Sequence, residues 1–198
     1  MLPYLFLITL VSFCSVLDYV KLNTKSRKIL LVLLIGLLIM FCGTRFETGN
    51  DWTAYVDTFN RIPPFESLCN NPEMFVVSRM EPGYVILNSI VKSLGGTIDI
   101  VFLISCIITV GLLFIALNRY SFFCFLAILL YMRYGYLQAN MMFVRQGIAV
   151  SIFFISLKYV EERKFWQYIA INIIAILFHS SLYIVCLLYT SDAADDKA

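Results

Sequence analysis

The sequence has few charged residues for its length. Of 198 residues only 14% are Asp, Glu, Lys or Arg, whereas 61% are hydrophobic. A soluble domain carries about 25% charged residues, and a core of this size cannot bury so large an apolar fraction. The scarcity of charge therefore excludes a soluble globular protein. The net charge of +2 gives no reason to expect a nucleic-acid partner, because the basic residues flank apolar runs.

Residues that form disulfides or bind metals are also scarce or poorly placed. The chain has one histidine. Five of the six cysteines lie in apolar runs, and only Cys69 lies in a polar segment; the five are Cys14, Cys42, Cys106, Cys124 and Cys186. Neither a disulfide framework nor a zinc spacing is present in this pattern. We therefore expect no metal and no cofactor.

Long apolar runs are abundant instead. Six of them contain few or no charges: 2–17, 29–43, 98–117, 122–132, 143–157 and 165–188. Crossing about 30 Å of hydrocarbon takes about 20 helical residues, so the runs predict an all-α polytopic protein with about six transmembrane helices. The first run lacks the basic start and small-residue cleavage site of a signal peptide, so we interpret it as a retained helix.

Basic residues cluster in three short connections. They are Lys21, Lys25, Arg27 and Lys28 after the first run, Arg119 after the third, and Lys158, Arg163 and Lys164 after the fifth. The positive-inside bias places these connections in the cytoplasm and residues 44–97 outside. In that outer segment, Trp52, Tyr55 and Phe59 have the spacing of an amphipathic helix with its aromatics in the lipid headgroups. Pro82 predicts the start of a second outer helix, which Gly95 and Gly96 end.

Three cationic or ionisable residues fall at similar depth under this topology. At about 1.5 Å per residue, Arg145 lies roughly 20 Å above Lys158, and His179 lies roughly 22 Å above Lys164. Arg45 emerges near the same outer surface. With the opposite orientation, Arg145 would instead be a snorkelling residue of the inner leaflet.

Two polar stripes accompany these residues. One contains Gln138, Met142, Arg145 and Ala149, and the other contains Tyr168, Asn172, Ala175, His179 and Tyr183. Polar stripes on membrane helices face a cavity or form hydrogen bonds with neighbouring helices. The functional interpretation is an outer cavity in which arginine binds anionic oxygens and a carboxylate or histidine handles protons. The structural alternative makes His179 a packing residue and Arg45 an interface charge.

Four spaced motifs carry a resemblance to a known family. They are Gly49-Asn-Asp51-Trp-Thr-Ala-Tyr55, Glu81-Pro-Gly-Tyr84 with Leu87-Asn88, Val144-Arg145-Gln146-Gly-Ile-Ala149, and Phe178-His179-Ser-Ser181. From about residue 29 to 188 the chain resembles the EpsG family of Wzy-type polysaccharide polymerases. The resemblance implies an enzyme of the bacterial cytoplasmic membrane that joins saccharide repeat units carried on polyprenyl diphosphate, at the outer face of that membrane. The expected partners are this lipid-linked oligosaccharide, the bilayer and a regulator of chain length.

The resemblance also implies roles for individual residues. Arg145 stabilises the departing diphosphate, with Arg45 as a second candidate. Asp51, Glu81 and His179 are alternative bases for the acceptor hydroxyl, and they are not ranked. The expected ligands of the sugar are Gln138, Gln146, Asn172 and Tyr84. A ligase that moves finished polysaccharide and a flippase or transporter for lipid-linked sugar stay open as alternatives.

The composition changes abruptly near the end of the chain. Residues 189–198 switch from Ile and Leu to Asp and Ala, which is typical of a non-native tail rather than of a continuing helix. We therefore expect one transmembrane domain over residues 1–188, and the resemblance implies that it is the N-terminal portion of a longer protein. Such a fragment is expected to be inactive.

Overall fold

The computed structural model describes residues 2–20 and 22–185 as an all-α membrane protein. Its α-helices are α1 (Leu2–Ser15), α2 (Thr24–Gly43), α3 (Trp52–Arg61), α4 (Phe65–Asn70), α5 (Met74–Val77), α6 (Pro82–Ser93), α7 (Ile98–Tyr120), α8 (Cys124–Tyr131), α9 (Val144–Glu161) and α10 (Phe165–Phe178). The expectations about Lys21, Cys186 and residues 187–198 lie outside the described residues.

Three helices of the described part are long and apolar enough to cross a membrane: Leu2–Tyr19, Thr24–Gly43 and Ile98–Tyr120. Two further apolar helices are shorter, Cys124–Tyr136 and Phe165–Phe178. Helix α7 lies in the middle and packs against α2 on one side and α9 on the other, while α10 packs on α9 and α1 packs on α8. Its central position brings the residues that follow α2 close to the beginning of α9.

The helix that begins with α8 does not continue regularly into α9. After Tyr131 the chain makes two π-helical stretches, Met132–Tyr136 and Gln138–Met142, and then breaks at Phe143 (φ −101°, ψ 54°). Gln138 and Met142 therefore precede a break, and Arg145 follows it. The prediction that they share one helical stripe with Arg145 and Ala149 is wrong.

The prediction of one straight helix over residues 165–188 is also wrong. Helix α10 ends at Phe178, His179 is extended (φ −159°, ψ 126°), and Ser180–Val185 form a 3₁₀ turn. The Tyr168 hydroxyl donates to the Val185 carbonyl at 2.7 Å, so the chain reverses at His179 and returns along α10. The predicted stripe holds only for Tyr168, Asn172 and Ala175, which are fully buried, whereas Tyr183 is 65% exposed.

The two predicted outer helices are present as α3 and α6, but the aromatic face of α3 turns toward protein. Tyr55 and Phe59 are buried, and the Tyr55 ring packs edge-on against Tyr84 and Phe102 with centroids 5.5 and 6.0 Å apart. The expectation that these rings sit in the headgroups is therefore wrong. An apolar helix face leaves water when it is covered by lipid or by protein, and here α6 and α7 cover it.

The three connections predicted to be cytoplasmic lie together at one end of the bundle. Arg27 pairs with Asp18 at 3.2 Å and donates to the Phe122 carbonyl at 2.9 Å. These contacts join the connection after the first apolar run to the connection after the third run. Arg119 pairs with Glu161 at 3.2 Å, and this ion pair joins the connection after the third run to the connection after the fifth run. In the same cluster, a hydrogen bond from Lys164 lowers the pKa of the Glu162 carboxyl below its ordinary value. Arg145 lies at the other end of α9.

Candidate functional site

An ion pair between Arg145 and Glu81 forms the centre of the candidate site. Arg145 is the second residue of α9, and Glu81 holds an extended conformation just before Pro82 opens α6. Nη1 of Arg145 donates to Oε2 of Glu81. Their side chains are 25% and 18% exposed, so the attraction between them is screened less than at an open surface.

The reversal after α10 reaches the same carboxylate. The backbone N–H of Ser180 donates to Oε1 of Glu81 over a long 3.5 Å. Gly83 permits this approach, because a Cβ at that position would lie 2.8 Å from the Leu177 carbonyl oxygen. Three separated segments therefore meet at Glu81: the start of α6, the start of α9 and the end of α10.

His179 lies beside this meeting point, next to Ser180. Its Nδ1 is 2.8 Å from the Ser181 hydroxyl and accepts the Ser181 backbone N–H at 3.2 Å. The ring therefore caps the 3₁₀ turn that follows, in the way that Asn or Asp caps a helix. No residue of the described segments hydrogen-bonds its Nε2.

Arg45 is a buried cation with very few partners. The residue is 5% exposed, its Nη1 donates to the Asn140 carbonyl at 3.0 Å, and the guanidinium lies 4.0 Å from the centroid of the Phe102 ring. Its Nε and Nη2 are buried without a hydrogen-bond partner among the described residues, and no carboxylate there pairs with it. Burial lowers the pKa of the Arg45 guanidinium, which still remains charged at neutral pH.

Two tyrosines connect the arginines. Tyr84 is fully buried, burial raises the pKa of its phenol, and its hydroxyl is close enough to Arg45 and Arg145 to interact electrostatically with both. Tyr55 donates to the Met142 carbonyl at 3.3 Å and lies beside the Arg145 guanidinium. The site is therefore one continuous cluster.

Several donors in this cluster have no partner among the described residues. They are Nε and Nη2 of Arg45, the hydroxyl of Tyr84 and Nε of Arg145. A buried donor without an acceptor costs free energy, and a guanidinium costs more than a neutral group. An anion with several oxygens would satisfy these donors together.

The other predicted site residues lie elsewhere. Asp51 precedes α3 half-buried, and its side chain does not cap that helix. Gln138 and Gln146 line a different, mainly apolar cavity of about 530 Å³ between α7, α8 and α9. Asn172 is fully buried and donates to Ser156 Oγ at 3.0 Å, so it joins α10 to α9.

The sequence interpretation missed Tyr55, Phe102 and Ser180 as members of the site. Tyr55 stands in the first motif, but its helical spacing was also that of a membrane anchor. Phe102 lies in an apolar run and carried no signal, whereas Ser180 stands in the fourth motif but contributes only its backbone N–H. In the described part of the chain, no group of three or more His, Cys, Asp or Glu side chains could hold a metal ion.

Comparison with known proteins identifies the family. No curated protein and no solved structure matches the chain significantly. A family model described as the EpsG family matches residues 28–193, which is most of the chain. The match includes the four motifs, and each contributes a residue to the cluster around the Arg145–Glu81 pair. The chain belongs to the EpsG family, whose members are membrane proteins of polysaccharide biosynthesis.

Proposed function

We propose that the protein is a polysaccharide polymerase that joins polyprenyl-diphosphate-linked saccharide repeat units at the outer face of the bacterial cytoplasmic membrane. The observation that carries this proposal is a largely buried cluster of two arginines with unpartnered donors, one of which, Arg145, pairs with the Glu81 carboxylate. Such a cluster supplies charge stabilisation for a diphosphate and a base for a hydroxyl group. Both are needed when a sugar is transferred from a lipid diphosphate.

The proposed transfer step uses these groups in a defined order. The acceptor hydroxyl oxygen attacks the anomeric carbon of the donor saccharide, and the bond from that carbon to the diphosphate oxygen breaks. The bonding electrons leave with the lipid diphosphate, and the hydroxyl proton passes to a base. Arg145 and Arg45 stabilise the charge that grows on the diphosphate, where preorganised donors lower the barrier most.

Glu81 is the strongest candidate for the base. It already contacts Arg145, and a diphosphate that takes over the Arg145 guanidinium would release the Glu81 carboxylate for the acceptor. Asp51 has no observed contact with either arginine. The sugar-binding roles of Gln138, Gln146 and Asn172 remain predictions, whereas Tyr84 directs an unpartnered hydroxyl into the cluster.

The test is expression of the full-length gene in a bacterial host that lacks its own polymerase and makes the matching lipid-linked repeat unit. We expect a ladder of polymer on a gel, which Arg145→Ala and Glu81→Gln abolish while the protein stays in the membrane. Arg145→Lys should recover little, because lysine cannot bind a diphosphate through a two-pronged contact. Arg119→Ala at the opposite end of the bundle is the matched control and should leave the ladder intact.

The alternatives have different products. A ligase would place single repeat units on the final acceptor, and a flippase would move lipid-linked units without extending them. Either product in the absence of a ladder would reject the polymerase proposal.

A further inference from the structure

The hydrogen bonds of His179 determine which ring nitrogen carries the proton. The Ser181 backbone N–H can only donate, and it points at Nδ1 of His179 at 3.2 Å. Nδ1 must therefore be the acceptor, and the neutral imidazole carries its hydrogen on Nε2. The Ser181 hydroxyl, 2.8 Å from Nδ1, can donate to the same nitrogen.

This arrangement leaves His179 poorly suited to act as a base. The lone pair of Nδ1 is already engaged by Ser181, and Nε2 has no lone pair available in this tautomer. What the ring offers is one N–H donor at Nε2, to which no described residue is bonded. The nearest charged groups that the structure ties to it are Glu81, through the Ser180 N–H, and Arg145, through Glu81.

From this geometry, and resting on the proposed function, we infer that His179 donates its Nε2 hydrogen to an oxygen of the leaving diphosphate. It acts alongside Arg145 and Arg45, whose unpartnered atoms are also donors. Glu81, the carboxylate at this meeting point, takes the acceptor proton. His179 is thus a third ligand of the anion.

A purely structural role for His179 can be separated from this one by a single substitution. Asparagine places an oxygen where Nδ1 lies and caps the turn in the same manner, but it has no group at the position of Nε2. His179→Asn therefore keeps the cap and removes the donor. His179→Ala removes both, so it should unfold at a lower temperature than His179→Asn, and this difference verifies that asparagine restores the cap.

The experiment uses the full-length protein in lipid nanodiscs with two readouts: binding of polyprenyl diphosphate, and transfer from a lipid-linked repeat unit. We expect His179→Asn to weaken polyprenyl diphosphate binding and to slow transfer by about 10- to 100-fold, the effect of losing one hydrogen bond to a charged group.

Three results would overturn the inference. If His179→Asn binds polyprenyl diphosphate and transfers sugar as the wild type does, the only role left for His179 is to cap the 3₁₀ turn. Wild-type binding of polyprenyl diphosphate in His179→Asn together with slowed transfer would show that His179 acts on the acceptor and not on the anion. If the variant does not insert, an Nε2 resonance of ¹⁵N-labelled wild-type His179 that does not move on addition of polyprenyl diphosphate would overturn it as well. If the wild type binds polyprenyl diphosphate but makes no polymer, the proposed function is rejected while the contact of His179 with the anion is still supported.

Discussion

Two arginines in one cluster differ in how their charge is compensated. Arg145 pairs with Glu81, whereas Arg45 has one backbone carbonyl and one aromatic face. A buried ion without a counter-ion is destabilising, and its electrostatic cost falls when an anion binds. Arg45 is therefore the residue at which stability and function are expected to oppose each other.

Replacing Arg45 with methionine tests this opposition. We expect Arg45→Met to raise the free energy of unfolding by about 1 kcal/mol or more, because it removes a poorly compensated buried charge, and to abolish polymer formation. Thermal unfolding in detergent and the gel assay measure the two effects. Arg61→Met, at an exposed site on α3, is the control and should change neither. A destabilised Arg45→Met protein that still makes polymer would show that Arg45 is structural.

At the scale of elements, the site depends on irregular segments that bring helix ends together. The π-helical stretches before Phe143 place the Asn140 carbonyl against Arg45 and the Met142 carbonyl against Tyr55. Such π-helical turns are rare in proteins, and those that occur are often found at functional sites. The reversal at His179 brings Ser180 to Glu81 in the same way.

The close packing of the π-helical stretch Gln138–Met142 against the start of α9 requires a glycine at position 147. A methyl group at this position would overlap the Ala139 carbonyl oxygen, which is backbone and cannot move independently. We expect Gly147→Ala to lower the free energy of unfolding by about 1–3 kcal/mol and to reduce polymer. Gly36→Ala, where a Cβ meets nothing within 4 Å, should be neutral or stabilising. Equal effects of the two substitutions in a denaturation series would contradict this close packing.

The contact between α9 and α10 includes a hydrogen bond from Asn172 to Ser156. A double-mutant cycle with Asn172→Ala and Ser156→Ala should give a coupling of about 0.6 kcal/mol, the average for such bonds inside membranes. Ser151→Ala should show no coupling to Asn172→Ala, since the Ser151 hydroxyl bonds within its own helix. Intact polymer formation in Asn172→Ala would reduce this residue to a packing role, and loss of polymer at full stability would support its predicted contact with sugar.

At the scale of the whole molecule, the basic connections and the candidate site lie at opposite ends of the helix bundle. Arg27, Arg119 and Glu161 are linked around one end, and Glu81, Arg145 and His179 gather at the other. The positive-inside bias assigns the first end to the cytoplasm, so the site would face outward.

The native Cys69 offers a direct test of this orientation, because it is exposed on α4 in the outer segment. In a variant that retains only this cysteine, a membrane-impermeant maleimide should label Cys69 in intact cells. A variant with Lys164→Cys as its only cysteine should react only after the cells are permeabilised. Labelling of position 164 from outside would invert the topology and reject an outward-facing site.

Local features of the sequence predict several elements well. Pro82 and the Gly95-Gly96 pair mark the ends of α6 because both residue types restrict or release the backbone locally. The apolar run at 98–117 corresponds to α7 because the transfer of apolar side chains out of water needs no tertiary partner. The break at Phe143 was missed where one helical stripe was drawn from Gln138 to Ala149, and the reversal at His179 was missed because the apolar run 165–188 continues through it. Both irregularities coincide with contacts to distant segments, which the linear pattern does not show.

The sequence by itself determined that this protein is an all-α membrane protein of the EpsG family, because hydrophobicity and motif order are properties of the linear chain. It also pointed to Arg145, since a guanidinium between apolar runs needs compensation wherever it lies. Only the tertiary structure decided that Glu81 is the partner of Arg145 and that Arg45 has no counter-ion among the described residues. These pairings depend on which helix ends meet, and that depends on close backbone packing at Gly83 and Gly147 and on local breaks in helices.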